Sequence, residues 1–134
     1  RFYRDTERVM GWDISERGFQ VVLSAEVPDL VRTHLPDDVD GFLADHGLAR
    51  PDIAAWIAHP GGPKVLEAMQ EALELPAGAL DRAWRTLREK GNLSSTSVLL
   101  VLGEVLDDPP PPGSFGMMTA MGPGFCSELV LLEF

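Results

Sequence analysis

Pro51-Asp52-Ile53-Ala54-Ala55-Trp56-Ile57-Ala58-His59-Pro60-Gly61-Gly62-Pro63 is the stretch on which the fold turns. Asp52 to Ala58 reads as an apolar run bounded by Pro51 and Pro60, the pattern of a strand buried on both faces. Gly61-Gly62-Pro63 is a turn. The run beyond it, with Val65, Leu66, Met69 and Leu73 on one side, predicts a helix over 64–75. His59 therefore stands where a buried strand meets a glycine turn, the place where α/β folds put functional groups.

Upstream, the β-leaning runs 9–14 and 19–24 are joined by Ser15-Glu16-Arg17-Gly18, a hairpin signature with glycine at the turn. Ala25 to Pro28 opens a helix whose apolar stripe is Leu30, Val31, Leu35, Phe42 and Leu43, with a break expected near Pro36 and resumption at Asp40. Downstream, a helix over 80–90 ends on Gly91 as C-cap. Ser94 or Ser95 can cap the next helix, which runs to about Leu106 and, being apolar nearly all round, is expected to lie at the centre. The run from Asp107 to Gly113, with its four prolines, predicts a surface polyproline loop. Two last strands, over 115–121 and 125–132, are linked by Gly122-Pro123-Gly124. This order predicts an α/β fold, a mixed sheet covered by helices.

A chain of 134 residues fits one domain, and 45% apolar with 24% charged residues fits an ordinary globular one. The net charge of −10 argues against nucleic acid as partner, because phosphate binding needs a basic footprint. A single cysteine forms no internal disulfide, and no signal peptide or membrane-length apolar run is visible, so a cytoplasmic location is expected. Arg1-Phe2-Tyr3-Arg4-Asp5 lacks an initiator methionine and opens inside structured-looking sequence, which points to the C-terminal piece of a longer polypeptide.

Taken singly, His59 reads as a histidine satisfied by a backbone carbonyl, and Asn92 as a turn asparagine in the left-handed conformation. Together they offer an imidazole N–H and an amide N–H to one point, a donor pair for a thioester oxyanion. His34 and His46 lie on a charged helix and read as solvated. Gly122-Pro123-Gly124 permits close approach to a ligand, or is a plain hairpin turn. Cys126 has neither a helix N-terminus nor an adjacent base, so it reads as a core residue rather than a nucleophile. No metal-ligand spacing or phosphate-binding glycine fingerprint is present.

Trp56 to Pro63, then Gly91-Asn92-Leu93-Ser94-Ser95, then Gly122-Pro123-Gly124 together resemble the type III polyketide synthases, the chalcone synthase-like enzymes of thiolase fold. The likeness extends to Asp5-Thr6-Glu7 and Val27-Pro28 and covers essentially residues 1–134 as that family's C-terminal half of an αβαβα layered fold. It implies a Cys-His-Asn triad in which His59 and Asn92 are two members, with the cysteine in an N-terminal half. It also implies acyl-CoA starters and malonyl-CoA as substrates, no permanently bound cofactor, and a homodimer. The thiolate would be stabilised by an imidazolium at His59.

The resemblance further implies that Ser94 lines the cavity, with Met10 and Trp12 on its floor. Phe19 and Val21 fall at the neck, and Met121, Gly122 and Pro123 in the loop beside it. Gly61, Gly62 and Lys64 match the coenzyme A tunnel, although Lys64 also reads as a solvated first-turn lysine. Val21 stands where plant members keep phenylalanine, which widens the neck and favours the alkylpyrone and alkylresorcinol type of bacterial synthase. Two other readings stay open. One is a ketoacyl-acyl carrier protein synthase III, which this chain resembles less because Pro60-Gly61-Gly62 replaces Gln-Ala-Asn. The other is a non-catalytic binding subunit. The isolated chain is expected to be inactive.

Overall fold

Apolar residues at every second position, Met10, Trp12 and Ile14 and then Phe19, Val21 and Leu23, fold into an antiparallel hairpin in the computed structural model, which describes residues 1–134. Strand β1 (Met10–Ser15) pairs with β2 (Gly18–Leu23) in the register Met10–Leu23, Trp12–Val21 and Ile14–Phe19. Side chains of paired residues share a face, so one face of the ribbon carries all six of these apolar residues and the other carries Asp13, Ser15, Gln20 and Val22. The hairpin forms its own two-stranded sheet, and Trp12 and Ile14 remain 51% and 75% exposed.

Helix α1 (Val27–Asp45) runs unbroken through Pro36, against the expected interruption. A helix-interior proline costs about 3 kcal/mol. The buried stripe Val27, Val31, Leu35, Val39 and Leu43 keeps perfect i+4 spacing across it. Each such side chain is worth about 1.5–3 kcal/mol on burial, so packing outweighs the lost hydrogen bond. His34, on this helix, is half-buried and stacked on Tyr3 at 4.6 Å between ring centroids, rather than solvated. His46 is exposed, as expected, with its Nδ1 2.8 Å from the Phe42 carbonyl.

Strand β3 (Ile53–Ala58) is followed by α2 (Pro63–Ala72), α3 (Asp81–Lys90) and α4 (Thr96–Asp107). Helix α2 stops three residues short of its expected end, because Glu74 takes a left-handed φ of 53° and the Leu75 N–H donates to the Gln70 carbonyl at 3.0 Å. Gly91 ends α3 with φ 76°, a conformation that favours glycine. Strands β4 (Phe115–Gly122) and β5 (Cys126–Glu133) complete a three-stranded mixed sheet of order β3-β4-β5, with β3 and β4 parallel and β4 and β5 antiparallel.

Helices α1 and α2 pack on one another, as do α3 and α4, while α1 reaches β5 and α4 reaches β3 and β4. Ile57, Ala58, Leu66, Met69, Val101, Val105 and Met117 are fully buried where these layers meet. Helix α4 is not enclosed. Val98, Val101 and Val105 face the core, but Leu99 and Leu106 are 57% and 58% exposed, because no element of this chain lies over that side. No helix is long and apolar enough to cross a membrane.

Candidate active site

The β3 ladder continues one residue past the strand. The His59 N–H donates to the Thr119 carbonyl at 2.8 Å, which anchors the histidine at the C-terminal end of the parallel pair. The Gly61 N–H then donates to the His59 carbonyl at 2.9 Å, and the Val65 and Leu66 amides bind the Gly62 carbonyl at 3.1 Å to start α2. A Cβ on Gly61 would lie 3.4 Å from His59 Cδ2 and 3.7 Å from Nε2, so glycine leaves the edge of the imidazole open.

Asn92 is brought to the same turn. Its Nδ2 donates to the Gly61 carbonyl at 2.9 Å across 31 positions of sequence, and its Oδ1 accepts the Ser94 N–H at 2.9 Å. A carboxamide nitrogen carries two hydrogens, and Gly61 takes one, so the second stays available to a ligand. The left-handed residue of the turn is Ser94, with φ 59°, and not Asn92 as the sequence suggested. The Asx-type bond from the Ser94 N–H to Asn92 Oδ1 spans Asn92 and Leu93, and the left-handed residue follows it. Neither Ser94 nor Ser95 caps α4 through its side chain. The serine that matters there is Ser97, whose buried Oγ accepts the Leu93 N–H at 2.7 Å.

Burial lowers the His59 pKa below the usual 6.5, so at neutral pH the ring is uncharged. Its buried Nδ1 has no hydrogen-bond partner in the chain, and neither does the Thr119 hydroxyl. An imidazolium at this position is therefore not the resting state of the isolated chain. An uncharged ring can still accept a thiol proton, or donate through one nitrogen, depending on its tautomer.

The remaining residues singled out above fall into two groups. Ser94 is exposed beside Asn92, and Lys64 is exposed in the first turn of α2 next to Gly61 and Gly62. Met121 and Gly122 are half-buried and Pro123 is exposed at the end of β4, where the Gly124 N–H donates to the Met10 carbonyl at 2.8 Å. That bond ties the hairpin base to the loop. Trp12, Phe19 and Val21 stand farther out on the ribbon, with Trp12 and Phe19 edge-to-face at 6.1 Å. Ile14 and Leu23 share their face and escaped the sequence reading, although the alternation that selects Trp12 and Val21 also selects them. Cys126 is buried opposite Gly122, as a core residue would be.

A cavity of about 720 Å³ lies at the opposite end of β3, between Ile53 and Trp56 on one side and Leu73 to Ala79 on the other. Its arginines are already paired, Arg50 with Asp40 at 2.6 Å, Arg82 with Asp108 at 2.9 Å and Arg85 with Glu104 at 2.9 Å. Neither His59 nor Asn92 lines it.

The profile of the family described as chalcone and stilbene synthases, C-terminal domain, matches residues 1–134. The chain is 58% identical over 133 residues to a 1,3,6,8-tetrahydroxynaphthalene synthase of Streptomyces peucetius subsp. caesius, covering 98% of this chain and 35% of that one. The crystal structure of the 1,3,6,8-tetrahydroxynaphthalene synthase of Streptomyces coelicolor A3(2), a bacterial type III polyketide synthase, superposes with a TM-score of 0.91 at 29% identity, over 98% of this chain and 38% of that one. PKS-I of the brown alga Ectocarpus siliculosus does so with a TM-score of 0.88 at 32% identity, over 97% and 36%. The chain thus spans about a third of the length of the curated relatives it matches.

Proposed function

The chain belongs to the chalcone and stilbene synthase family, as its C-terminal domain, and from that membership we propose that it supplies the His-Asn half of a type III polyketide synthase active site. The observation that carries this reading is the bridge at Gly61, which accepts from Asn92 Nδ2 through its carbonyl and donates to the His59 carbonyl through its N–H. Gly61 thereby ties the Asn92 side chain to the main chain of His59, two residues before it, at one turn.

In this reading a cysteine in a preceding half gives its proton to Nε2 of uncharged His59, and the thiolate attacks the starter thioester, expelling coenzyme A as its thiolate while His59 keeps the proton. The C–C bond of a malonyl-CoA carboxylate then breaks, carbon dioxide leaves, and the electron pair becomes a thioester enolate. His59 Nε2–H and the second Nδ2–H of Asn92 donate to its oxygen. The enolate carbon attacks the acyl-cysteine, forming the new C–C bond and expelling the thiolate. Burial disfavours the imidazolium that the first step creates, so the facing thiolate must offset that cost by direct pairing.

The apolar hairpin face and the uncovered side of α4 are the surfaces on which the preceding half and the growing chain are proposed to pack, within a homodimer. Separated from that half, the domain is expected to be inactive. The chalcone-type profile match favours this reading over a ketoacyl synthase. Product class follows the 58% relative, whose name is that of a polyhydroxylated fused aromatic. Trp12 and Phe19, edge-to-face, suit the walls of such a flat product, whereas the alkylpyrone expectation rests on Val21. The test supplies the complete polypeptide with malonyl-CoA, alone and with acyl-CoA starters of increasing length. Release of carbon dioxide with a polyhydroxylated aromatic from malonyl-CoA alone is the expected result. Alkylpyrones formed only with long starters would return the product class to the aliphatic type, and no turnover with any starter would overturn the synthase reading.

A further inference from the structure

The geometry points to Ser97 as a positioning residue that holds Asn92 in its donor orientation by gripping the turn between them, an inference that rests on the reading of Asn92 as an oxyanion donor. Ser97 is fully buried in the first turn of α4. Its Oγ accepts the Leu93 N–H at 2.7 Å, and its own N–H donates to the Ser94 carbonyl at 3.0 Å. Leu93 directly follows Asn92, and Ser94 supplies the N–H that binds Asn92 Oδ1. Ser97 therefore holds both residues that set where the Asn92 side chain points.

The turn needs such a hold. Ser94 has a left-handed φ of 59°, which a non-glycine residue keeps only when its surroundings impose it. No serine caps α4 in the usual way, so the Leu93 amide has Ser97 Oγ as its acceptor and loses it on substitution. Asn92 is exposed and gains no orientation from packing, which leaves the bonds to Gly61 and Ser94 to aim it. Releasing Leu93 frees Ser94 to relax toward ordinary backbone, and the Asn92 carboxamide turns with it.

The test uses the complete polypeptide and malonyl-CoA decarboxylation, with Ser97→Ala and the nearly isosteric Ser97→Cys, whose thiol is a weak acceptor. Both should lower kcat about tenfold or more, with KM for malonyl-CoA unchanged, because the donor acts on the enolate and not on bound substrate. In an Asn92→Ala background the same substitutions should cost nothing further, since there is no carboxamide left to aim. An equal loss in both backgrounds would make Ser97 merely structural, and unchanged kcat in both single variants would remove its role; either result overturns the inference. Full activity of Asn92→Ala itself would instead overturn the reading of Asn92, and this inference with it.

Discussion

If the proposed synthase reading holds, replacing His59 by alanine in the complete polypeptide is expected to lower chain extension by about 10³-fold or more. Loss of one oxyanion donor alone costs about 10²–10³ in rate. In the proposed mechanism His59 has a second task, accepting the thiol proton, so its removal is expected to slow thiolate formation as well. Starter loading should fall together with decarboxylation, which separates His59 from Asn92, whose loss affects decarboxylation far more than loading. Thiol alkylation followed by mass spectrometry reads the first task, and carbon dioxide release reads the second. Normal loading in the alanine variant would contradict the assignment of His59 as the base.

The second large effect concerns stability and lies away from the site. Asp38 is buried in α1, with its side chain 3% exposed, and accepts hydrogen bonds from Tyr3 Oη, from Ser127 Oγ at 2.8 Å and from Arg1 Nη1 at 2.7 Å. It joins the N-terminal segment, α1 and β5. Asp38→Ala leaves the Tyr3 and Ser127 hydroxyls without their acceptor and should cost about 3 kcal/mol or more. Asp38→Asn, which keeps one carbonyl acceptor, should cost less. Burial alone would raise the Asp38 carboxyl, but the bonds from Tyr3, Ser127 and Arg1 outweigh it and bring the carboxyl below 3.8. With the folded value below the unfolded one, the contribution is present above about pH 4 and is lost as pH falls through the folded value. Burial, followed by Asp38, raises the Tyr3 phenol well above its usual 10, so its contribution is complete below pH 10 and lost on further rise. Urea unfolding of the wild type and both variants across pH reads this. Equal stability of wild type and Asp38→Ala at pH 7 would refute it.

Much of the architecture was legible because it rests on short-range pattern. Alternation announced the hairpin, the run 52–58 announced the buried strand, and Gly91 announced the end of α3. What failed were the places where long-range packing decides. Pro36 looked like a helix break, but the i+4 stripe that overrides it has value only once α2 and the sheet lie beneath. The all-round apolar look of α4 promised a central position, yet Leu99 and Leu106 meet solvent, since burial depends on what stands opposite. His34 was placed in solvent because Tyr3, which covers it, lies 31 positions away.

The site divides along the same line. His59 and Asn92 were legible as residues at turns, and the bond from Asn92 to the Gly61 carbonyl that brings it to the His59 turn was not, because it needs the chain to return across 31 positions. The hairpin alternation contained Ile14 and Leu23 as plainly as Trp12 and Val21. Ser97 carries no local signature, because two earlier serines look like better caps and only the bond to Leu93 distinguishes it.

The most direct test of the account is the malonyl-CoA decarboxylation rate of Asn92→Ala beside the wild type, measured in the complete polypeptide at saturating substrate. A fall in kcat of about 10²–10³ with little change in KM is the predicted result, since Asn92 is assigned to the enolate oxygen alone. A wild-type rate in that variant would contradict the claim that the Gly61 bridge assembles an oxyanion site.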